Sequence, residues 1–391
     1  MMDGTEIKIS VIGLGRAGLP LAAVIADNGY NIVGIDLDRK KCELINSGIN
    51  PLPEEPGLDD LIRKHGGSSI FASPEYDSAS SCNVYIVIVP LLINNGVLEI
   101  KPLESALRRI GKLLKKNDLV VIETTIPPLT TEKYALSLLE EESGLRLGDF
   151  YLAHSPERIM SGKCIVRLKE FPKIIGGVNK ESGICAYKIY SKFIPNLNLV
   201  SSAKVAEFIK NMEGCYRDVN IALANELYKI ADELEVDFFE SRKYANHKYC
   251  DVHLPSTGVG GHCIPVYPWF LINEMEKRGK NGHVRLLKTS RKINDEMIEY
   301  WASKIIDKCL KIDKPLKEVK ICIKGITYRK DIKDINHSRN LVLVKFLLDK
   351  GLNVTVFDKT FKKEEVQNFG LQWGDPNESD VIFDPFELKF E

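Results

Sequence analysis

Ile7-Lys8-Ile9-Ser10-Val11-Ile12-Gly13-Leu14-Gly15-Arg16-Ala17-Gly18-Leu19-Pro20-Leu21-Ala22 is the stretch on which the fold turns. Residues 7–12 are β-rich and alternate. A glycine triplet follows, then a helical run that Gly29 closes. Residues 31–35 read as a second strand, and Asp36 ends it. Strand, G-x-G-x-x-G, helix, strand and acid stand in the order of a dinucleotide-binding βαβ unit. The glycines permit a tight turn and let backbone N–H groups approach a pyrophosphate at the helix N-terminus. Asp36 would accept hydrogen bonds from the adenosine ribose hydroxyls, and its charge opposes a 2′-phosphate, so NAD is the expected cofactor. Arg39, Lys40 and Lys41 read as a solvated helix face that leaves a small opening for NADP. The cofactor-side candidates here are Gly13, Gly15, Gly18, Asp36 and Arg39.

The alternation continues. Residues 84–89, 119–123, 149–153, 173–176 and 197–200 are short apolar β-runs. Segments 101–115 and 130–142 have helical spacing. Together they predict a doubly wound α/β sheet of Rossmann type. Pro90, residues 124–127 and residues 155–158 follow strand ends, where ligands of such sheets bind, and this adds Pro90 and Thr125 to the cofactor candidates. The totals agree with a globular protein: 391 residues, 44% hydrophobic and 28% charged, with 54 basic residues against 54 acidic. That balance argues against nucleic acid or anionic membrane as the main partner. Nine scattered cysteines without a C-x-x-C pair fit a reducing compartment and no zinc site. With no signal peptide and no run of membrane-span length, a cytoplasmic protein is expected.

Further along, Gly258-Val259-Gly260-Gly261-His262-Cys263-Ile264-Pro265 sets one thiol in a glycine-rich loop. Glycines let the backbone take positive φ and press close to a ligand. A thiol presented on such a loop is a candidate nucleophile. Residues 203–235 form a long proline-free helical pattern suited to a spine between domains or a dimer surface. Lys210, Gly214, Arg217 and Ile221 share one face of it, and the two cations bracketing the glycine make an open stripe suited to an anionic oxygen. Residues 289–309 are helical again, and 319–325, 338–350 and 353–357 give strand, helix and strand, a second, smaller Rossmann-like α/β unit. The expected domains are 1–202 (NAD-binding), 203–312 (helical, with the cysteine loop) and 313–391 (α/β).

In these motifs the chain resembles the UDP-glucose/GDP-mannose dehydrogenase family over nearly its whole length. Residues 13–20 look like the family's G-L-G-x-x-G-L-P. Glu55-Pro56-Gly57-Leu58 matches its E-P-G-L, and Glu123-Thr124-Thr125-Ile126-Pro127-Pro128 resembles E-S-T-x-P-P. Ser155-Pro156-Glu157-Arg158, Arg217-Asp218-Val219-Asn220 and Gly260-Gly261-His262-Cys263 are similar to the branch that oxidises UDP-N-acetylhexosamines, UDP-N-acetylmannosamine above all. The resemblance implies a homodimer that takes a UDP-sugar from C6 alcohol to uronic acid with two NAD, for surface polysaccharide or glycan synthesis. Cys263 captures the aldehyde and becomes a thioester that water releases. Lys210 steadies the oxyanion, Glu157 serves thioester hydrolysis, and Thr125 helps place water. Glu157, Arg158, Lys210, Arg217, Asn220, Gly260, Gly261 and His262 are the substrate-side candidates, and residues 313–391 bind the UDP end.

The chain also departs from the pattern. Tyr267 stands where the family has aspartate, four residues after the cysteine. Gly214 stands where it has asparagine, four after the lysine. Asn336 replaces an arginine that reaches ligand, Arg339 replaces a closing proline, and residues 380–391 look short of the usual final strand and helix. Tyrosine cannot serve as a carboxylate base near neutral pH. Three alternatives stand beside the four-electron enzyme. One is a paralogue that binds NAD and nucleotide sugar with impaired hydrolysis, another a UDP-glucose 6-dehydrogenase, and the third a simpler two-electron dehydrogenase with no need of Cys263.

Overall fold

A computed structural model describes residues 6–94, 97–160 and 162–391. Residues 1–5, where the stretch read as lacking a signal peptide begins, lie outside them. The chain divides into two compact units, Met1–Met212 and Glu213–Glu391.

The strands of the first unit are β1 (Ile9–Ile12), β2 (Ile32–Ile35), β3 (Ile70–Ser73), β4 (Val84–Val87), β5 (Leu92–Asn94), β6 (Val97–Glu99), β7 (Leu119–Ile122), β8 (Tyr151–His154), β9 (Lys173–Gly177) and β10 (Leu197–Val200). Its helices are α1 (Gly18–Asp27), α2 (Arg39–Asn46), α3 (Leu58–His65), α4 (Lys101–Leu113), α5 (Leu136–Ser143), α6 (Cys164–Glu170) and α7 (Lys180–Tyr190), and α8 (Ala203–Glu233) begins within it. Strands β5 and β6 pair antiparallel as a separate two-stranded sheet. The other eight form one sheet in the order β10-β9-β8-β7-β4-β1-β2-β3. From β3 to β8 all pairs are parallel. Strand β9 meets β8 antiparallel and β10 follows it in parallel, so the last two strands run against the other six.

The sequence dictates this arrangement. β1, β4 and β7 are apolar nearly throughout and buried at every position, as strands covered on both faces must be. Leu19, Ile25 and Ile62 of α1 and α3 belong to one apolar layer, and Leu103, Leu107 and Leu139 of α4 and α5 to another. The chain leaves β1 toward β2 on one side and resumes at β4 on the other. Their C-terminal ends therefore frame the crevice where an open α/β sheet binds its ligand.

The helix expected over 130–142 is interrupted. Thr130–Ala135 form a wide π turn before α5. The cause is Glu207 of α8, fully buried, whose carboxylate draws in the N–H groups of Leu129 (2.6 Å) and Thr131 (2.7 Å) and the Thr131 hydroxyl (2.6 Å). Leu129 takes a left-handed φ of 77° to present its N–H.

The second unit holds the remainder of α8, then α9 (Phe238–Ala245), α10 (Tyr267–Lys277), α11 (Arg285–Cys309), α12 (Arg339–Asp349) and α13 (Lys363–Asn368). Its strands are β11 (Lys320–Lys324), β12 (Asn353–Phe357), β13 (Val381–Asp384) and β14 (Lys389–Phe390), in the order β12-β11-β13-β14. The C-terminal segment, read as short of a final strand and helix, holds the two short strands β13 and β14 and no helix among the described residues. Val381 and Phe383 alternate inward, β13 pairs parallel with β11, and β14 closes the edge antiparallel. Trp301 of α11, buried between Tyr228 (ring centroids 5.5 Å apart) and Phe383 (5.0 Å), anchors this core.

Burial pushes the Glu207 carboxyl up to about 7, against the pull of its three donors. In the unfolded chain it loses its proton near the ordinary glutamate value of ~4.3. The stability gained from holding that proton is full below the lower value and lost as pH rises through about 7. Glu207→Gln cannot titrate, so the fall in urea-unfolding stability between about pH 5 and 8 should flatten by on the order of 3 kcal/mol. An unchanged pH slope would count against this assignment.

Candidate functional site

The three fingerprint glycines answer three different demands. Gly13 turns the chain out of β1 at φ 95°, its N–H donates to the Ile35 carbonyl (2.7 Å), and a Cβ on it would stand 2.2 Å from the Ile88 carbonyl oxygen. A Cβ on Gly18 would stand 1.8 Å from the Gly13 carbonyl oxygen, so only a bare residue lets α1 start there. Around Gly15 nothing lies within 4 Å of that position. Gly15 is thus the open floor of a cradle that a methyl group would fill, which fits a pyrophosphate. Asp36, half-buried at the end of β2, accepts from the Leu14 N–H (3.0 Å) and the Asp38 N–H (3.0 Å). Lys41, expected on a solvated face, instead donates to Asp36 at 2.8 Å with little exposure. Arg39 pairs with Glu75 in solvent (2.8 Å). The cradle and the acid together suit an adenine dinucleotide.

On the neighbouring edge, the Thr124 hydroxyl accepts from the Val89 N–H and donates to the Val89 carbonyl, both at 2.9 Å, tying the segment after β7 to that after β4. Thr125 is buried beside it and Pro90 is exposed. Glu123 is fully buried and accepts from Lys173 Nζ (2.8 Å) and the Tyr190 hydroxyl (2.6 Å). Burial raises its carboxyl, and Lys173 opposes that rise. Its carbonyl takes the Glu157 N–H (3.1 Å), while Ser155 donates to the Ile174 carbonyl (2.8 Å). Farther on, buried Glu55 accepts from the N–H groups of Gly162 (2.8 Å) and Cys164 (2.5 Å). The loop bearing Glu157 is therefore tied at one end to the Glu123 backbone and at the other to the Glu55 carboxylate, two residues to which the sequence reading gave no role. Both lie in the segments aligned with E-S-T-x-P-P and E-P-G-L, and those segments are the signal that could have marked them. Glu157 is half-buried and its carboxylate accepts from the Ile159 N–H. Arg158, a substrate-side candidate, donates to the Pro172 carbonyl (2.6 Å) and lies over the Phe171 ring.

Lys210 is half-buried on α8. Asn211, one step on, is fully buried and donates to the carbonyls of Ile126 (2.9 Å) and Glu207 (2.7 Å). It serves the loop after β7.

In the second unit the cysteine loop is held from both sides. Gly261 takes φ 87°, and a Cβ on it would meet the Tyr328 ring at 3.1 Å; one on Gly260 would meet the His337 carbonyl oxygen at 2.8 Å. The bare faces expected to press on ligand are thus covered by the protein's own 328–337 segment. His262, partly exposed, faces the buried Asp334 carboxylate (3.3 Å) and the His337 ring (centroids 5.6 Å apart). Thr257 donates to Asn340 (2.5 Å). A chain of buried polar groups reaches the loop from behind. Arg291 pairs with Asp218 (2.6 Å), Asn294 donates to Asp218 (2.9 Å), Asn225 donates to Asn294 (2.9 Å), and the Ser256 N–H donates to Asn225 (2.8 Å). The expected open cationic stripe is not found. Gly214 is buried under Tyr267, while Arg217 is exposed and Asn220 donates back to the Tyr216 carbonyl (2.7 Å).

Cys263 itself is exposed, and it is the only one of the nine cysteines that is; seven are buried and Cys250 is half-buried. Burial pushes the thiols of Cys82 and Cys309 up to about 11 and that of Cys215 to about 12, which removes them as nucleophiles. The Cys263 carbonyl accepts from the N–H groups of Val266 and Tyr267, each at 3.1 Å, so the thiol-bearing residue is one hydrogen-bonded turn ahead of α10.

Comparison with known proteins agrees with this geometry. Residues 7–194 match the UDP-glucose/GDP-mannose dehydrogenase family, NAD binding domain, and residues 204–296 match the central domain of the same family. The UDP-N-acetyl-D-mannosamine dehydrogenase of Methanococcus maripaludis is 36% identical over 357 residues, covering 90% of this chain and 79% of that protein. The NDP-N-acetyl-D-galactosaminuronic acid dehydrogenase of Ralstonia nicotianae is 32% identical over 358 residues, covering 89% of this chain and 82% of that one. The solved UDP-D-ManNAc dehydrogenase of Pyrococcus horikoshii superposes with a TM-score of 0.88 at 32% identity, over 97% of this chain and 89% of that one. With cradle, cysteine loop and full-length similarity together, the chain belongs to the UDP-glucose/GDP-mannose dehydrogenase family, and its cofactor is NAD.

Proposed function

We propose that the protein oxidises the C6 alcohol of a UDP-N-acetylhexosamine, UDP-N-acetyl-D-mannosamine foremost, to the uronic acid, with Cys263 as the covalent nucleophile. The observation that carries this is the sole exposed thiol, seated at the start of a helix in the family's glycine-rich loop. The names of the similar dehydrogenases support the substrate class.

Overall, the alcohol, one water and two NAD give the carboxylic acid, two NADH and two protons. Bound NAD supplies the acceptor for each of the two hydrides. The chain supplies the rest. The Cys263 sulfur adds to the aldehyde carbon of the half-oxidised sugar, forming a C–S bond while the carbonyl oxygen becomes an oxyanion. Lys210 is assigned to hold that oxygen. Loss of the second hydride leaves a thioester on Cys263. Water positioned by Thr125 gives a proton to Glu157 and attacks the thioester carbon. The C–S bond breaks, the thiolate returns, and the acid leaves. Arg158, Arg217, Asn220 and His262 are assigned to the sugar, and residues 313–391 to the UDP end.

A homodimer in the cytoplasm is part of the same proposal. Tyr216, Leu223, Leu227 and Ile230 recur at helical spacing on α8 with exposures from 37% to 56%, and exposed Leu234 follows the last turn, an apolar row suited to a second copy. No helix among the described residues is long and apolar enough to cross a membrane. Tyr267 and Gly214 favour a second reading, an enzyme whose thioester outlives the oxidation. In that case Cys263 carries a sugar acyl adduct in intact-mass spectra after single turnover.

Incubation with a panel of UDP-sugars should release two NADH per sugar with the best substrate, and one per sugar would indicate arrest before hydrolysis. Cys263→Ala should lower acid formation by ~10³-fold or more. Acid formation at the wild-type rate in that variant would overturn the covalent route. Gly15→Ala should keep the wild-type melting temperature, because its methyl meets no protein atom, yet weaken NAD binding in calorimetry by about tenfold or more.

A further inference from the structure

We infer that Gly214 and Tyr267 form one packing joint that sets where the Cys263 turn stands, which makes both of them positioning residues for the reaction proposed above, on which this inference rests. A Cβ on Gly214 would lie 2.5 Å from Tyr267 Cδ2, 2.8 Å from its Cβ and 3.0 Å from its Cγ. Those atoms are the root and near edge of the side chain. Rotating the ring moves its far end but not its Cβ, which is fixed to the backbone, so the contact cannot be relieved without moving the start of α10. Tyr267 is the first residue of that helix, buried at 7% exposure and packed on Phe270 (centroids 5.9 Å apart). Its N–H is bonded to the Cys263 carbonyl at 3.1 Å. A displacement at Tyr267 therefore passes through one hydrogen bond to the residue that bears the thiol.

The α8 side of the joint has little room to yield. Asp218, one turn beyond Gly214, is fully buried and held by Arg291 (2.6 Å) and by Asn294 (2.9 Å). The two departures from the family pattern are thus a single event in physical terms. Tyr267 fills a place where the resemblance expects a carboxylate, and Gly214 is bare because that ring needs the space.

The test is a double-mutant cycle on the full-length protein: Gly214→Ala, Tyr267→Gly, which removes all three atoms that a Cβ at 214 would meet, and the pair together. Each is read by the rate of iodoacetamide alkylation of Cys263 in mass spectra, by kcat and KM for NADH formation from UDP-N-acetylmannosamine, and by thermal unfolding. Alanine is the better helix former, so any loss in Gly214→Ala runs against intrinsic propensity. That variant should change the alkylation rate about fivefold or more and lower kcat about tenfold, with KM moving less than about threefold. Adding Tyr267→Gly should return alkylation to within about twofold of the Tyr267→Gly single variant. Gly214→Ala alkylated at the wild-type rate, or effects that simply multiply in the pair, would overturn the joint. If Gly214→Ala fails to fold, recovery of folding in the pair supports the joint, and a pair that also fails refutes it. Alkylation needs no substrate. A wild-type protein that makes no NADH would therefore sink the proposed function while leaving the cycle readable.

Discussion

The second unit depends on one buried ion pair, Asp218 with Arg291. Asp218 is fully buried and Arg291 is 5% exposed. Removing two such charges from water costs several kcal/mol each, and their attraction offsets this only if the remaining donors and acceptors are engaged. Burial raises the Asp218 carboxyl, and the adjacent guanidinium is the leading influence against that rise. The additional bonds come from Asn294, which donates to both the side chain and the carbonyl of Asp218, and from Asp295, which accepts from Arg291 at 2.7 Å. Asn225 and the Ser256 N–H extend the same chain to the residues just before Gly258. Two atoms of the pair, Asp218 Oδ2 and Arg291 Nε, are buried without a hydrogen-bond partner; the bonds that are made still specify one arrangement, because breaking any of them leaves a further charge or amide unsatisfied. The cysteine loop inherits that specificity.

Glycine does opposite work in the two units. In the first, Gly15 leaves a space that the protein does not fill, and the space is the binding feature. In the second, Gly260 and Gly261 are bare so that Tyr328 and the His337 carbonyl can come close. The same residue type thus marks a ligand cradle in one place and internal close packing in the other. Only the neighbours distinguish them, and neighbours distant in sequence are what a motif does not encode.

That difference explains how far the sequence could be read. The β1–α1–β2 unit was legible because each step is local: apolar alternation makes the strand, Gly13 and Gly18 are demanded by contacts within the motif or at the next parallel strand, and Asp36 follows directly. The small unit at 319–357 was legible for the same reason. Short strands such as β3 and β13 were not, since four residues carry little periodicity and their pairing with β2 and β11 supplies the missing specification. The π turn at 130–135 was beyond reach because its cause, Glu207, lies some seventy residues on. Cys263 was visible as a loop thiol. The anchors Glu55, Glu123, Asp218 and Asn294 were not, because a buried acid reads in sequence like any surface acid until its partner is known. Lys41 shows the converse, a surface-looking cation that is in fact the partner of Asp36.

The geometry around Cys263 bears on how the protein could act on an aldehyde. On one side the loop is held through Thr257, Gly258 and Gly261 by the 327–340 segment and Asn294. On the other, the Cys263 carbonyl is committed to the first turn of α10. An exposed side chain on a backbone fixed at both ends loses only its own rotamer freedom when it meets substrate. A free loop would lose on the order of 1–2 kcal/mol of backbone entropy for every residue ordered at that moment. Holding the proposed nucleophile in place beforehand would let substrate binding go into bringing carbon and sulfur to attack distance, which is where proximity lowers a barrier most. The thiol needs solvent access and the backbone needs rigidity. The glycine-rich loop meets both demands by packing its bare backbone against the protein and turning only the cysteine and histidine side chains outward.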